Sequence, residues 1–318
     1  KKFPSSLSPS WVKGQLRGYL GYRGLVTTDA LDAAAVSSFP PAEVALRAMG
    51  AGNDQLLEIA QPEALEGSDK PPADLLAGRR AVLAAVKRDP AKMRELHASV
   101  MRVLRLKWKL GLATDPFVDA GAVGKTVGTP KHLAVARRAA RRSITLVRND
   151  AGVLPLAPNT GQKVLVTGFG EVTTATLGSA VVAHGLTPQV LDTGFSPSRT
   201  AIAEAVAAAA GSSYVLVSTF NAWTPGTSQI ELVEALLATG KPVIVAAVGT
   251  PYDVAYLPGA PTFIAALDYQ PPTLEALVEV LFGDYEPGGK LPVTIAEPGG
   301  GKTLYRFGFG IGLTGAAG

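Results

Sequence analysis

Gly24-Leu25-Val26-Thr27-Thr28-Asp29-Ala30-Leu31 decides how the rest of the chain is read. The run is entered from a glycine, is apolar and β-branched, and ends on a carboxylate. It predicts a buried strand that delivers one acid to its C-terminal rim. In open or barrel α/β sheets that rim is where ligands sit, because loops there can vary while the strands hold position. Asp29 is therefore the first candidate for chemistry. The local pattern fits a cap on the next turn equally well.

Working outward, Ser8-Pro9 starts a helix in which Val12, Leu16 and Leu20 recur at helical spacing until Gly21. Pro41 to Met49 predicts a helix closed by Gly50, and Gly52 to Ala60 a second strand containing Gln55-Leu56-Leu57-Glu58-Ile59. This alternation argues for right-handed βαβ units. Residues 74–87 and 91–110 carry apolar positions at helical spacing, and Met93, Leu96, Val100, Val103 and Leu104 form one stripe. That stripe predicts helices packed on the outside of a sheet. The segment Gly111 to Pro130, rich in Gly, Thr and Asp, reads as an interdomain linker. The expected domains are residues 1–112 and 131–318, with 113–130 between them.

From Lys131 a helix over 131–142 leads into a strand at Ser143 to Val147. Further strands are predicted at 163–167, 188–191, 214–218, 243–248 and 262–267, with helices at 173–184, 199–210, 227–239 and 273–282. The pattern is an open, mostly parallel α/β sheet covered on both faces. Gly168-Phe169-Gly170 lies between a strand and a helix but lacks the third glycine of a dinucleotide fingerprint, and Gly299-Gly300-Gly301-Lys302-Thr303 lacks the first glycine of a P-loop. Both read as loops.

With 318 residues, 47% hydrophobic and 18% charged, the chain is globular and long enough for two domains. No apolar run is long enough to span a bilayer, and no signal peptide is legible at Lys1. The absence of cysteine excludes disulfides and thiol catalysis, and suits a secreted or cell-envelope protein without excluding a cytoplasmic one. His97, His132 and His184 have no ligand-like spacing, so no metal or cofactor is expected. The net charge of +4 comes partly from Arg137, Arg138, Arg141 and Arg142. With no aromatic residue among them, they read as the solvated face of one helix and not as a nucleic-acid surface.

At this point the residues resemble a family. Leu16-Arg17-Gly18-Tyr19-Leu20-Gly21-Tyr22-Arg23-Gly24 through Leu31 is similar to the seventh helix-strand segment of the glycoside hydrolase family 3 barrel, and Ala48 to Ile59 resembles the eighth strand with its lead-in. Ala139 to Asn149, Gly152-Val153-Leu154-Pro155-Leu156, Gly240 to Val245, Gly283 to Pro292 and Arg306-Phe307-Gly308-Phe309-Gly310 resemble landmarks of its second, α/β sandwich domain. The resemblance implies the C-terminal fragment of a (β/α)8 TIM barrel followed by that sandwich. It also implies that Asp29 is the catalytic nucleophile of a retaining glycosidase.

Such an enzyme also needs a proton donor. In the β-glucosidase-like branch of the family a glutamate supplies it, near where this chain reads Ser218-Thr219-Phe220-Asn221-Ala222-Trp223, without a carboxylate. In the β-N-acetylglucosaminidase branch a His-Asp pair on an earlier barrel loop does so. Thr219 to Trp223 and Gly249-Thr250-Pro251-Tyr252-Asp253 resemble that second branch.

The resemblance thus implies an exo-acting β-N-acetylglucosaminidase acting on terminal β-linked N-acetylglucosamine of chitin or peptidoglycan fragments. A β-glucosidase-like enzyme, a phosphorylase or a noncatalytic carbohydrate-binding remnant are the alternatives. The first six barrel strands are expected elsewhere in the same protein or on a second fragment, leaving this chain inactive alone. Trp223 and Asp253 are further candidates for touching sugar. Asp32, Asp54 and Glu58 read as turn, cap or core-edge residues, and Glu171 and Asp268 as weaker candidates for lining a cleft.

Overall fold

The computed structural model describes residues 3–33, 35–57, 73–157 and 161–314. It divides into two compact units, Lys1–Ala120 and Gly121–Gly318.

The first unit opens with a wide helix over Ser10–Tyr19, whose end is closed by Leu20 N–H donating to Gln15 O, five residues back, at 2.9 Å. Strand β1 (Thr27–Ala30), helix α1 (Pro41–Ala51) and strand β2 (Gln55–Leu57) follow, and β1 and β2 pair in parallel. Pro41 in the first turn of α1 supplies a preset φ where no amide donor is needed. Helices α2 (Ala73–Arg88) and α3 (Pro90–Lys109) complete the unit, the second capped by Asp89 accepting from Ala91 N–H at 2.8 Å. Leu7, Leu31, Val36, Val44 and Ala48 form its small core.

Two expectations need correction here. The strand carrying Asp29 is not buried: within β1 only Thr28 is, and Asp29 is exposed. The stripe on α3 is not covered either, since no α3 residue is buried and Val100 and Leu104 are 45% and 51% exposed. A two-stranded sheet is too narrow to cover a twenty-residue helix, which runs about 30 Å. The strand predicted over 52–60 forms at Gln55–Leu57, and Glu58 lies outside the described residues.

The second unit runs α4 (Val123–Thr126), α5 (Pro130–Ser143), β3 (Thr145–Asn149), β4 (Lys163–Gly168), α6 (Glu171–Val182), β5 (Thr187–Asp192), α7 (Arg199–Ala210) and β6 (Tyr214–Thr219). It continues through α8 (Gln229–Leu237), β7 (Val243–Ala247), α9 (Asp253–Tyr256), β8 (Thr262–Ala265), α10 (Pro271–Leu281) and a hairpin of β9 (Ile295–Ala296) and β10 (Thr303–Tyr305). Six strands form one mixed sheet in the order β3-β8-β7-β6-β4-β5. All neighbours are parallel except β3, which pairs antiparallel with β8 at the edge.

Side-chain alternation builds two cores from continuous apolar strands. Val164, Val166, Leu216, Ile244 and Ala246 face one layer, while Leu165, Val215, Val217, Val243 and Val245 face the other. Arg141 of α5 is not simply solvated: it makes two hydrogen bonds to Glu279 of α10, at 2.6 and 2.7 Å.

His184, just past α6, stacks on Phe282 with ring centroids 4.3 Å apart and places Nε2 2.8 Å from an Asp284 carboxylate oxygen. Burial opposes its protonation, but the bonds to Asp284 and to the Ala180 carbonyl outweigh burial and raise its pKa. A raised histidine pKa stabilises the fold fully below the unfolded value of 6.5, and that contribution is lost as pH rises through the folded value. Asp284 is half exposed, so the effect stays below about 1 kcal/mol. Thermal unfolding at pH 5.5 and 8.5 is expected to show a slope to which His184 and its partner contribute, and Asp284→Asn to reduce it; an unchanged slope in the variant would assign it elsewhere.

Candidate active site

Asp29 stands at the C-terminal end of β1, exposed, with Oδ1 accepting the Ala30 N–H at 2.8 Å. This bond is to the adjacent residue, so Asp29 does not cap a helix. Oδ2 has no hydrogen-bond partner among the described residues. An ionised carboxylate with one oxygen free and solvent-facing can act as a nucleophile or an acceptor.

Asp54 is the residue whose role is not read from the sequence. It lies immediately before β2, and its side chain is fully buried. Oδ2 accepts from Arg17 at 2.6 Å and from Val26 N–H at 2.9 Å, while Oδ1 accepts from Arg102 and from the Ser99 hydroxyl, both at 2.7 Å. Burial alone would raise the carboxyl pKa; Ser99, Val26 and the two guanidinium groups outweigh it and hold the pKa below its ordinary value. Arg17 also reaches the Gly52 and Gly24 carbonyls, tying the opening helix to both strands. The sequence separations are 37 and 48 residues, beyond any local pattern.

In the second unit the strand order reverses between β4 and β6, since the chain leaves β4 toward β5 and leaves β6 toward β7 and β8. Ligands of open α/β sheets sit at the carboxyl end of such a switch. Here the crevice holds aromatic rings: Phe169 stacks on Phe220 at 4.5 Å, and Phe195 and Tyr269 pack against both edge-on. Gly168, at φ 112°, is required for the approach, because a Cβ there would run into the Ser218 carbonyl oxygen. The glycines at 168 and 170 thus serve packing.

Trp223, on the loop after β6, is 38% exposed, and its Nε1–H donates to the Thr250 hydroxyl at 3.0 Å. That hydroxyl donates to Asn221 Oδ1 at 2.8 Å, and Asn221 itself sits in the left-handed region at φ 51°. Asp253 does not line a cleft, contrary to expectation. Its side chain is fully buried at the start of α9; Oδ2 accepts the Thr219 hydroxyl at 2.7 Å and Oδ1 has no hydrogen-bond partner. Burial raises its pKa to about 6, against the hydrogen bond from Thr219 and the nearby amides of Trp223 and Ala222. Asp268 accepts from Thr273 in the first turn of α10, and Glu171 is exposed in the first turn of α6. Among the described residues no three His, Asp or Glu side chains converge as metal ligands.

The Asp253 carboxyl keeps its proton in the folded state up to about pH 6 but ionises near 3.8 when unfolded. The folded state therefore binds more protons in that window, and stability falls as pH rises through it, by on the order of 2–3 kcal/mol. Asp253→Asn is expected to abolish that fall in urea titrations at pH 4 and 7, and to be at least as stable as the parent at pH 7. A variant that keeps the fall would contradict this.

The comparisons bear on both units. The sequence pattern described as Glycosyl hydrolase family 3 C-terminal domain matches residues 144–314, and that described as Glycosyl hydrolase family 3 N terminal domain matches residues 1–106. The chain belongs to glycosyl hydrolase family 3. A family 3 β-N-acetylglucosaminidase structure from Paenibacillus sp. str. FPU-7 is similar at 30% identity and a TM-score of 0.72, covering 92% of this chain and 55% of that one.

Among curated family relatives, a lysosomal beta glucosidase of Dictyostelium discoideum is 26% identical over 98% of this chain and 44% of its own length. A beta-N-acetylglucosaminidase/beta-glucosidase of Cellulomonas fimi is 31% identical over 51% of this chain and 27% of its own length. This family 3 chain spans about half the length of the curated relatives it matches across most of its own.

Proposed function

We propose that this family 3 chain is the nucleophile-bearing part of a retaining, exo-acting β-N-acetylglucosaminidase, with residues 1–112 as the last part of a (β/α)8 barrel and 131–318 as the sandwich domain. The observation that carries the reading is Asp29, an exposed carboxylate with a free oxygen at the C-terminal end of β1. In the first step an Asp29 oxygen bonds to the anomeric carbon as the bond to the leaving oxygen breaks, and an acid protonates that oxygen. Water then attacks the glycosyl ester, the same acid having become the base, and the carboxylate is restored.

Asp29 has no ion-paired titratable partner among the described residues. The proposal therefore assigns the acid/base to residues beyond these 318, which agrees with relatives about twice as long, and holds the isolated chain to be inactive. The N-acetylglucosamine preference is supported by the likeness to the Paenibacillus and Cellulomonas enzymes. A glucoside preference is the second reading, because the Dictyostelium β glucosidase matches almost the whole chain.

A 2-fluoro glycoside that forms a long-lived ester tests the nucleophile directly. Incubated with the protein that carries the whole barrel, it is expected to label one peptide, the one carrying Asp29. Label on another carboxylate overturns the assignment, and competition by aryl N-acetylglucosaminide or aryl glucoside distinguishes the two substrate classes.

A further inference from the structure

The second unit contains a cavity of about 370 Å³ that the proposed chemistry does not use, lined by Trp223, Tyr252, Tyr256, Glu297, Gly299 and Gly300 among others. Trp223 and Tyr252 stand nearly perpendicular, at 81° with centroids 6.2 Å apart, and each is 38% exposed. The only polar atom of the Trp223 ring is already bonded to Thr250, and Thr250 to a strained Asn221. What remains accessible is the apolar part of the ring, fixed in advance, so little conformational entropy is left to lose on binding. Beneath the loop, the fully buried Asp253 holds Thr219, the residue from which the 220–223 segment departs.

The remaining wall is the turn between β9 and β10. Gly299, Gly300 and Gly301 all have positive φ, and a Cβ at the first two would meet nothing within 4 Å. The turn therefore presents backbone that no side chain screens, its shape held by Gly300 N–H donating to the Glu297 carbonyl at 3.0 Å. Glu297 is exposed, with no side-chain hydrogen bond or ion pair among the described residues, and no Lys or Arg lines the cavity.

We infer that this cavity is a sugar subsite: Trp223 and Tyr252 take the apolar face of a pyranose, the glycine turn and Glu297 take its hydroxyls, and the unpaired carboxylate selects uncharged sugars over uronic acids. The inference takes its ligand class from the proposed function, and it extends that reading by putting a holding site on residues of the second unit.

The test titrates the full 318-residue chain with N,N′-diacetylchitobiose and with cellobiose, read by saturation-transfer NMR and tryptophan fluorescence. Trp223→Ala and Tyr252→Ala, both at exposed positions, are each expected to weaken binding about tenfold or more. Asp29→Asn is expected to leave it unchanged. A uronic acid disaccharide is expected to bind several-fold more weakly than cellobiose, and Glu297→Gln to erase that difference.

Absence of binding by both sugars, or binding unaffected by both aromatic substitutions while circular dichroism shows them folded, overturns the subsite. Loss of binding in Asp29→Asn overturns it as well, since the sugar then sits in the first unit. Binding that depends on Trp223, with no ester at Asp29 in the protein that carries the whole barrel, leaves the subsite standing and removes the proposed function; ester formation there with binding indifferent to Trp223 does the reverse.

Discussion

Asp29→Asn is expected to lower hydrolysis of an aryl β-N-acetylglucosaminide by roughly four orders of magnitude in the protein that carries the whole barrel. The substitution changes almost nothing else. Asparagine keeps an oxygen that can accept the Ala30 N–H now bonded at 2.8 Å, and the position is exposed, so folding stability should move by less than about 0.5 kcal/mol. An amide oxygen is a far poorer nucleophile than a carboxylate, so the ester cannot form at a useful rate. The loss should therefore fall on kcat with KM little changed. Steady-state kinetics beside a urea unfolding curve check both halves. More than a tenth of parental activity in a stable variant would mean that Asp29 is not the nucleophile.

The second large effect is on stability and belongs to Asp54. Its carboxylate, itself fully buried, gathers two partly exposed guanidinium groups, a hydroxyl and the Val26 amide. Removing one member of a buried pair leaves the others uncompensated, which typically costs about 3–5 kcal/mol. Whole domains are stable by only about 5–15 kcal/mol, so Asp54→Asn should leave the first unit close to unfolding at room temperature.

The sign with pH is opposite to that of His184 and Asp253. Because the folded pKa of Asp54 is lowered, its contribution is present above the unfolded value of 3.8 and is lost as pH falls through the folded value. Acid titration of the parent should show the first unit losing stability below about pH 4. A variant with unchanged urea midpoint, or an unchanged acid limb, would refute the role. Since Val26 immediately precedes β1, which carries Asp29, this clamp also fixes the start of the candidate nucleophile's strand.

How legible this was in the sequence depended on what made each element. In the second unit, strands buried on both faces carry consecutive apolar residues, Val164-Leu165-Val166 and Val215-Leu216-Val217, and the predicted runs at 163–167 and 214–218 fall within one residue of β4 and β6. Helix α7, predicted over 199–210, forms over those residues, entered through a Ser198 cap. The predicted edge strand at 143–147 forms at Thr145–Asn149, because Ser143 and its neighbours continue α5 instead.

In the first unit the same logic overreached. An apolar run predicts burial only if something lies on both sides of it, and β1 has a single partner strand. Site residues divide similarly. Asp29 follows from strand polarity, whereas Asp54 and Asp253 are defined by partners 28 to 48 and 34 residues away. A periodicity argument cannot see contacts at that range.

The outer edge of the second unit's sheet is not left open. Ile311 N–H donates to the Leu146 carbonyl at 2.9 Å, and Asn149 reaches the Leu313 carbonyl at 3.4 Å, so the first strand of the unit lies against its last described segment. That bridge adds a neighbour to the outer side of β3, so cutting the chain before Ile311 would leave the Leu146 carbonyl without its donor and the edge strand bare.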